Sequence, residues 1–143
     1  MASLFVNGKL RKNEGGDATA EELKGKIIGI YFSAHWCPPC RNFTPLLKDF
    51  YSELEDSGEF EIVFVSLDRS EDDLKKYLAE AHGPWYYLAL GDPLIQELST
   101  KFEVSGIPAL IIVKPEGELI TKNGRSDVQT KAPPQALASW KSA

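Results

Sequence analysis

The chain has two cysteines, and they lie three positions apart in the segment 36–40 (WCPPC). Two thiols at this spacing can cycle between a dithiol and a disulfide, which is the chemistry of a dithiol redox centre. A C-x-x-C motif is a modest signal alone, and it becomes specific where a buried strand meets an amphipathic helix. The elements on either side of the motif therefore decide how the two cysteines are interpreted.

The motif follows an apolar segment, 26–34 (KIIGIYFSA), which predicts a central strand buried on both faces. After the motif, apolar residues recur at spacings of three and four, as on one face of a helix. These residues are Phe43, Leu46, Leu47, Phe50, Tyr51 and Leu54. Pro38 disfavours helical backbone at Cys37, whereas Pro38 and Pro39 suit a first helical turn. We therefore expect the helix to begin at the motif, with Cys37 as its cap.

A sulfur at this cap faces unpaired N–H groups and the positive end of the helix dipole, which both favour thiolate over thiol. We therefore expect Cys37 to be the nucleophile. Cys40 lies one turn further along, where it is expected to be shielded and to attack a mixed disulfide on Cys37. This predicts that Cys40 is the resolving thiol.

Other uses of the cysteine pair are less well supported. A structural disulfide that closes four residues removes only about 2 kcal/mol of chain entropy from the unfolded state. A zinc site needs two further ligands, and the available nitrogen donors are His35 and His82. His35 is too close to Cys37 in sequence for ordinary ligand spacing, and we interpret it as a solvated neighbour. Phosphate-binding, dinucleotide-binding and metalloprotease motifs are absent from the sequence. We expect neither a metal nor a bound cofactor.

The rest of the sequence alternates between strand and helix patterns. Alternation over residues 4–10 around Asn7-Gly8 predicts an N-terminal β-hairpin. Further strands are predicted at 60–67, 108–113 and 118–122, and further helices after Ser70, from Asp92-Pro93 to about 102 and over 132–141. This order predicts an α/β fold in which helices flank a central mixed β-sheet, within a single domain, 1–143.

The formal net charge is −5, from 16 basic and 21 acidic residues. Such a field repels phosphate backbones and anionic lipids, so it argues against nucleic-acid and membrane partners. The sequence has no apolar segment of secretory or membrane-spanning length, and its cysteines are confined to one motif. We expect a cytoplasmic or nuclear protein.

Several ordered motifs resemble the thioredoxin superfamily, and within it the tryparedoxin and nucleoredoxin branch. They are the segments 31–34 (YFSA), 36–41 (WCPPCR), 43–45 (FTP), 65–71 (VSLDRSE), 84–85 (PW), 105–110 (SGIPAL) and 124–125 (GR). The resemblance extends over residues 23–125 and implies a thioredoxin-like fold. It also implies a dithiol-dependent protein-disulfide reductase with a reactive first cysteine.

The resemblance assigns further residues to the site. Pro108 matches a cis proline that faces the cysteine pair, and Ile107 before it would offer backbone hydrogen bonds to an extended substrate segment. Trp36 matches an exposed aromatic residue beside the nucleophile. Arg41 and Arg125 would lie near the active-site face, where they could meet an acidic or glutathione-like substrate.

One position departs from thioredoxins proper, which carry a buried acid six residues before the nucleophile. Tyr31 occupies that position here, in agreement with the tryparedoxin and nucleoredoxin branch. Another group must then take the proton of the resolving thiol, and Asp68 or a trapped water are the candidates.

The resemblance implies two kinds of partner, namely disulfide-containing protein substrates and a thiol electron donor, either glutathione-like or a reductase protein. A peroxidase is an alternative, but it needs a peroxidatic cysteine in a different setting. A redox-sensitive binding module in signalling is another alternative. Turnover distinguishes the module from the enzyme, because a module would reduce a generic disulfide barely faster than free dithiothreitol does.

Overall fold

A computed structural model describes residues 10–13 and 16–143, and within them seven strands form one mixed sheet in the order β2-β1-β5-β4-β3-β6-β7. The strands are β1 Leu10–Lys12, β2 Gly16–Asp17, β3 Ile27–Ser33, β4 Phe60–Ser66, β5 Tyr86–Leu88, β6 Ala109–Val113 and β7 Leu119–Thr121. β4 runs parallel to both β3 and β5, whereas the pairs β3–β6, β6–β7, β1–β5 and β1–β2 are antiparallel. The predicted mixed sheet is confirmed.

Five α-helices accompany the sheet in the described part of the chain. They are α1 Pro38–Leu54, α2 Glu71–Ala81, α3 Pro93–Lys101, α4 Gly124–Thr130 and α5 Pro133–Lys141, with 3₁₀ turns at Ala20–Leu23 and Glu55–Ser57. Ser70 caps α2, as predicted, because its side chain accepts a hydrogen bond from the Asp73 N–H at 3.2 Å. None of the helices is long and apolar enough to cross a bilayer.

Strand β3 shows how the core is divided between the two faces of the sheet. Successive side chains of a strand point to opposite faces, so Ile27 and Tyr31 pack into one apolar cluster with α1, α2 and α5. Ile28, Ile30 and Phe32 pack into the other cluster, with α3 and the first 3₁₀ turn. All seven residues of β3 are buried, which confirms the central strand predicted from its unbroken apolar pattern.

The sheet topology determines where the motif lies. The carboxyl ends of β3 and β4 meet at one edge, where Ser33 is paired with Ser66. β6 runs in the opposite direction and begins at the same edge, with Ala109 beside Phe32. Residues that follow β3 and β4, and residues that precede β6, are therefore brought together around the start of α1.

Two expectations from the sequence differ from the structure. Leu46, which belongs to the predicted apolar stripe of α1, is 48% exposed, because Phe43, Leu47 and Phe50 already define the face that meets the sheet. Helix α4 was not predicted, since its sequence, GRSDVQT, has one apolar side chain and no periodic stripe. The predicted hairpin around Asn7-Gly8 lies outside the described residues, and a short hairpin of β1 and β2 follows it.

Candidate active site

Cys37 caps helix α1, as its sequence context predicts. Its backbone is extended (φ −97°, ψ 108°), and its Sγ accepts a hydrogen bond from the Cys40 N–H at 3.3 Å. Pro38 and Pro39 occupy the first turn and are exposed. The Arg41 N–H donates to the Cys37 carbonyl at 3.1 Å and closes this turn. The cap therefore supplies the Cys40 N–H, which stabilises negative charge on the sulfur.

The two cysteines form a disulfide, and the two residues differ in exposure. Cys37 is 5% exposed, whereas Cys40 is completely buried. The small exposed part of Cys37 is where a substrate disulfide can approach the pair. Cys40 reaches only its neighbour, and this fits an internal resolving thiol.

The segment before β6 lies directly opposite Cys37. The Ile107–Pro108 peptide bond is cis, as predicted, and the Ile107 carbonyl oxygen lies 3.9 Å from Cys37 Sγ. In the disulfide the sulfur carries no proton, so this is a contact and not a hydrogen bond. Ile107 and Leu67 pack against the small cluster of Ala34, Cys37 and Cys40. The backbone of Ile107 is therefore beside the sulfur that a substrate would reach.

Trp36 is 48% exposed, in contrast to Trp85, which is completely buried. The indole Nε1 of Trp36 donates a hydrogen bond to the Leu67 carbonyl at 3.0 Å. The guanidinium carbon of Arg69 lies 5.5 Å from the centre of the indole ring. An exposed aromatic ring is thus held in a fixed orientation next to Cys37. Sequence reasoning did not identify Arg69 as a site residue.

Asp68 fixes the loop that carries Trp36. One carboxylate oxygen accepts a hydrogen bond from the His35 N–H at 2.7 Å, and the other accepts from the Ser66 hydroxyl at 2.7 Å. The residue is buried at the end of β4. Because both oxygens are engaged, these contacts favour a positioning role over the proton transfer that the sequence suggested.

A cluster of four buried hydroxyl groups lies beneath the first turn of α1; we call Tyr31, Ser33, Thr44 and Tyr77 the hydroxyl cluster. The Thr44 oxygen is 2.6 Å from both the Tyr31 and the Tyr77 hydroxyl oxygens, and Ser33 Oγ is 2.6 Å from the Tyr77 oxygen. Thr44 also donates to the Cys40 carbonyl at 2.8 Å.

The short bond from Thr44 to the Cys40 carbonyl sets a direction for the protons of the cluster. A hydroxyl has one proton to donate, so Thr44 must accept from both Tyr31 and Tyr77. Tyr77 then accepts from Ser33. Burial, with the nearby Tyr77 as a smaller cause, raises the pKa of the Tyr31 hydroxyl above its ordinary range. Tyr31 therefore stays protonated, and it differs in this respect from the acid that thioredoxins proper carry at this position.

Sequence reasoning missed most of the hydroxyl cluster, although a signal was present. Ser33 and Thr44 are polar residues within an apolar strand and an apolar helical stripe, and Thr44 follows Cys40 by one turn. Buried polar groups are nearly always hydrogen-bonded, so each implied a partner. What the sequence did not give was which residues were the partners.

The two histidines lie in different environments. His82 is buried, and its Nδ1 accepts from the Trp85 indole N–H at 3.1 Å. Burial, and to a smaller extent Lys48, lowers the pKa of His82 to about 3, so the ring is neutral. His35 is partly buried, so describing it as a solvated neighbour was wrong: its ring meets Tyr77 edge-on, and Nε2 lies 3.3 Å from Glu80. Within the described ranges, no three His, Cys, Asp or Glu side chains are grouped to hold a metal ion.

Arg125 lies on the side of α1 that faces α4, and its guanidinium carbon is 5.9 Å from the centre of the Phe43 ring. A side chain at Gly124, the residue before it, would be crowded, because a Cβ there would come within 2.8 Å of the Leu110 carbonyl and 2.9 Å of Ile112. Helix α4 therefore packs directly on β6, and this contact sets the position of Arg125.

Known proteins are similar to this chain in sequence and in fold. A family model described as thioredoxin-like matches residues 25–119. Mouse nucleoredoxin is 42% identical over 125 residues, which is 86% of this chain, but the chain spans only 28% of the length of that relative. A solved thioredoxin from Wuchereria bancrofti is 53% identical, with a TM-score of 0.83 and 96% of both chains covered.

Tryparedoxins give a further comparison. A structure of tryparedoxin II complexed with glutathionylspermidine is 37% identical to this chain, with a TM-score of 0.80 and with 87% of this chain and 86% of that one covered. The cysteine pair, the mixed sheet and these relatives show that this chain belongs to the thioredoxin-like oxidoreductase family, within its nucleoredoxin and tryparedoxin branch.

Proposed function

We propose that this chain is a protein-disulfide reductase that uses Cys37 as its nucleophile and Cys40 as its resolving thiol. The observation that carries the proposal is the cap of α1: Cys37 Sγ accepts the Cys40 N–H, and Cys37 keeps 5% exposure whereas Cys40 is completely buried. An N–H donor at a helix start stabilises a thiolate. A buried second thiol has access to the mixed disulfide on Cys37 and to little else.

The reaction has two exchange steps. The Cys37 thiolate attacks one sulfur of the substrate disulfide, so that a bond between Cys37 and that sulfur forms, the substrate bond breaks and one substrate thiolate leaves. Cys40, after losing its proton to a water molecule, attacks the Cys37 sulfur and releases the second substrate thiolate. Two electrons pass to the substrate, and the Cys37–Cys40 disulfide remains.

The substrate binds on the surface around Cys37. An extended segment of the substrate pairs with the backbone of Ile107 beside Pro108, as in strand addition. Trp36 supplies an apolar contact at 48% exposure, and Arg125 supplies a charge. Pro38 and Pro39 shape the first turn, Arg41 follows it, and Asp68 supports the loop that carries Trp36.

A thiol donor reduces the Cys37–Cys40 disulfide, either a glutathione-like thiol or a reductase protein. The related tryparedoxin II complexed with glutathionylspermidine supports a donor of the first class. The protein needs no bound cofactor, forms one domain over 1–143 and acts in the cytoplasm or nucleus. Its partners are proteins with disulfides, and neither nucleic acid nor membrane is among them.

Single substitutions of the cysteines test the proposal. Wild-type protein should reduce insulin with dithiothreitol much faster than dithiothreitol alone does. Cys37→Ser should abolish turnover, whereas Cys40→Ser should accumulate mixed disulfides at Cys37 that dithiothreitol dissolves. Mass spectrometry of the species trapped from cell extract identifies the substrates. In the reduced wild type, alkylation of Cys37 by iodoacetamide should have a pH midpoint below about 8.5, the value for a free cysteine.

Two results would contradict the assigned roles. Equal trapping by both cysteine variants would show that neither sulfur is distinguished as the nucleophile. Reduction of insulin no faster than by dithiothreitol alone would favour the redox-sensitive binding module, in which the pair changes contacts with a partner without turnover.

A further inference from the structure

Arg69 follows β4 at the edge of the sheet where the cysteine pair lies. Leu67, two residues before it, packs against Cys37 and Cys40, and the Leu67 N–H donates to the Ser33 carbonyl at 3.0 Å. This bond extends the pairing of β3 and β4 by one residue beyond the end of β4. Arg69 therefore projects from a backbone that is anchored beside the site, although it is 29 residues away from Cys40 in sequence.

Arg69 and Trp36 form a stacked pair on the surface. The indole is anchored through its bond to the Leu67 carbonyl, and the guanidinium lies 5.5 Å from the ring centre, within the range of a cation–π contact. Trp36 is half exposed and Arg69 is exposed. The pair offers a flat apolar surface with a positive charge beside it, next to Cys37.

The charge of Arg69 is not neutralised by a neighbouring acid. Among the residues that the structure describes, no carboxylate lies within 4.0 Å of the guanidinium nitrogens of Arg41, Arg69 or Arg125, whereas Arg11, in strand β1, is paired with Asp17. Asp68, the acid next to Arg69, directs both oxygens inward to His35 and Ser66. A chain with a net charge of −5 thus keeps unpaired cations around its cysteine motif.

We propose that Arg69, held against Trp36, is a specificity-determining residue that binds an acidic side chain next to the disulfide of a protein substrate. The inference rests on the proposed reductase function and names a substrate class for it. A guanidinium pairs with a carboxylate through two parallel N–H donors, while Trp36 contacts the apolar part of the substrate segment. The same charge would repel a substrate that has basic residues beside its disulfide.

Three peptides test the proposal, each with one internal disulfide and identical except for Glu, Gln or Lys beside both cysteines. The measured quantity is the ratio of kcat/KM for the Glu peptide to that for the Lys peptide. An exposed ion pair changes an equilibrium by a factor of about 2 to 5, and we expect a ratio of that size in the wild type. Arg69→Glu should invert the ratio, Arg69→Lys should keep most of it, and salt should reduce it in the wild type.

Lys24→Glu is the matched control, because it makes the same change in net charge at an exposed site before β3, at the opposite end of that strand from Cys37. It should leave the ratio unchanged. A ratio near one in the wild type, no inversion in Arg69→Glu, or an equal shift in Lys24→Glu would each overturn the role of Arg69.

A second measurement separates this inference from the reductase function. In a Cys40→Ser background, the rate at which Cys37 forms a mixed disulfide with each peptide does not depend on turnover. A preference for the Glu peptide in this exchange, inverted by Arg69→Glu, would support the role of Arg69 even if the wild type turned over none of the peptides. Such a lack of turnover would overturn the reductase proposal alone. Absence of exchange with all three peptides would overturn both.

Discussion

Replacing Thr44 by valine tests whether the hydroxyl cluster stabilises the first turn of α1. Valine has nearly the same shape but lacks the oxygen that lies 2.6 Å from the Tyr31 and Tyr77 hydroxyls and 2.8 Å from the Cys40 carbonyl. Tyr31, Thr44 and Tyr77 are all completely buried. The substitution therefore removes an acceptor from two hydroxyl groups that water cannot reach.

The loss of stability in Thr44→Val follows from the number of hydroxyl groups that it leaves without an acceptor. Each buried polar group that loses its partner costs about 1–3 kcal/mol. Tyr31 keeps only a long contact to the Cys40 carbonyl at 3.5 Å, and Tyr77 keeps Ser33. Two partly compensated groups should lower the free energy of unfolding by about 2–4 kcal/mol. Thr44→Ser is the control, since it keeps the hydroxyl and loses one methyl group, worth about 1 kcal/mol.

Urea denaturation at pH 7 measures both variants against the wild type, and an unchanged slope shows that the same surface unfolds. We expect the valine variant to be less stable than the serine variant. A valine variant within about 0.5 kcal/mol of the wild type, the range of ordinary surface substitutions, would refute the hydrogen-bond order assigned to the cluster. So would a serine variant that loses as much stability as the valine variant.

Two further predictions concern stability. His82 is neutral in the folded protein, where its pKa is lowered to about 3 from 6.5. Between pH 6.5 and pH 3 the unfolded chain therefore binds a proton at His82 that the folded protein does not bind. The free energy of unfolding should fall as the pH is lowered from 7, by about 2 kcal/mol at pH 5. His82→Phe should reduce this loss in urea denaturation at the two pH values, and an equal loss in both proteins would contradict the assignment. Gly124→Ala should lower the free energy of unfolding by about 1–3 kcal/mol through overpacking against Leu110 and Ile112. Gly106→Ala, where a Cβ meets nothing within 4 Å, should have little effect, and similar losses in both variants would refute the packing argument.

Local sequence patterns were sufficient for the elements that position the cysteines. The apolar run of β3 and the prolines after Cys37 each act over a few residues, so the strand and the helix start agreed with prediction to within one or two positions. Helix α4 had no such pattern. Its short sequence is held by tertiary contacts, among them the bond from the Trp140 indole N–H to Asp127 at 2.9 Å.

The sequence by itself determined the redox chemistry, because the two cysteines and the proline geometry between them lie within four consecutive residues. The tertiary structure decided which groups surround that chemistry. Tyr31, Thr44 and Tyr77 come from a strand and two helices, and Arg69 meets Trp36 only because β3 and β4 end at the same edge of the sheet. Contacts of this kind depend on strand register and helix packing, which no local pattern encodes, so the partners of each buried hydroxyl and the position of Arg69 became known only from the fold.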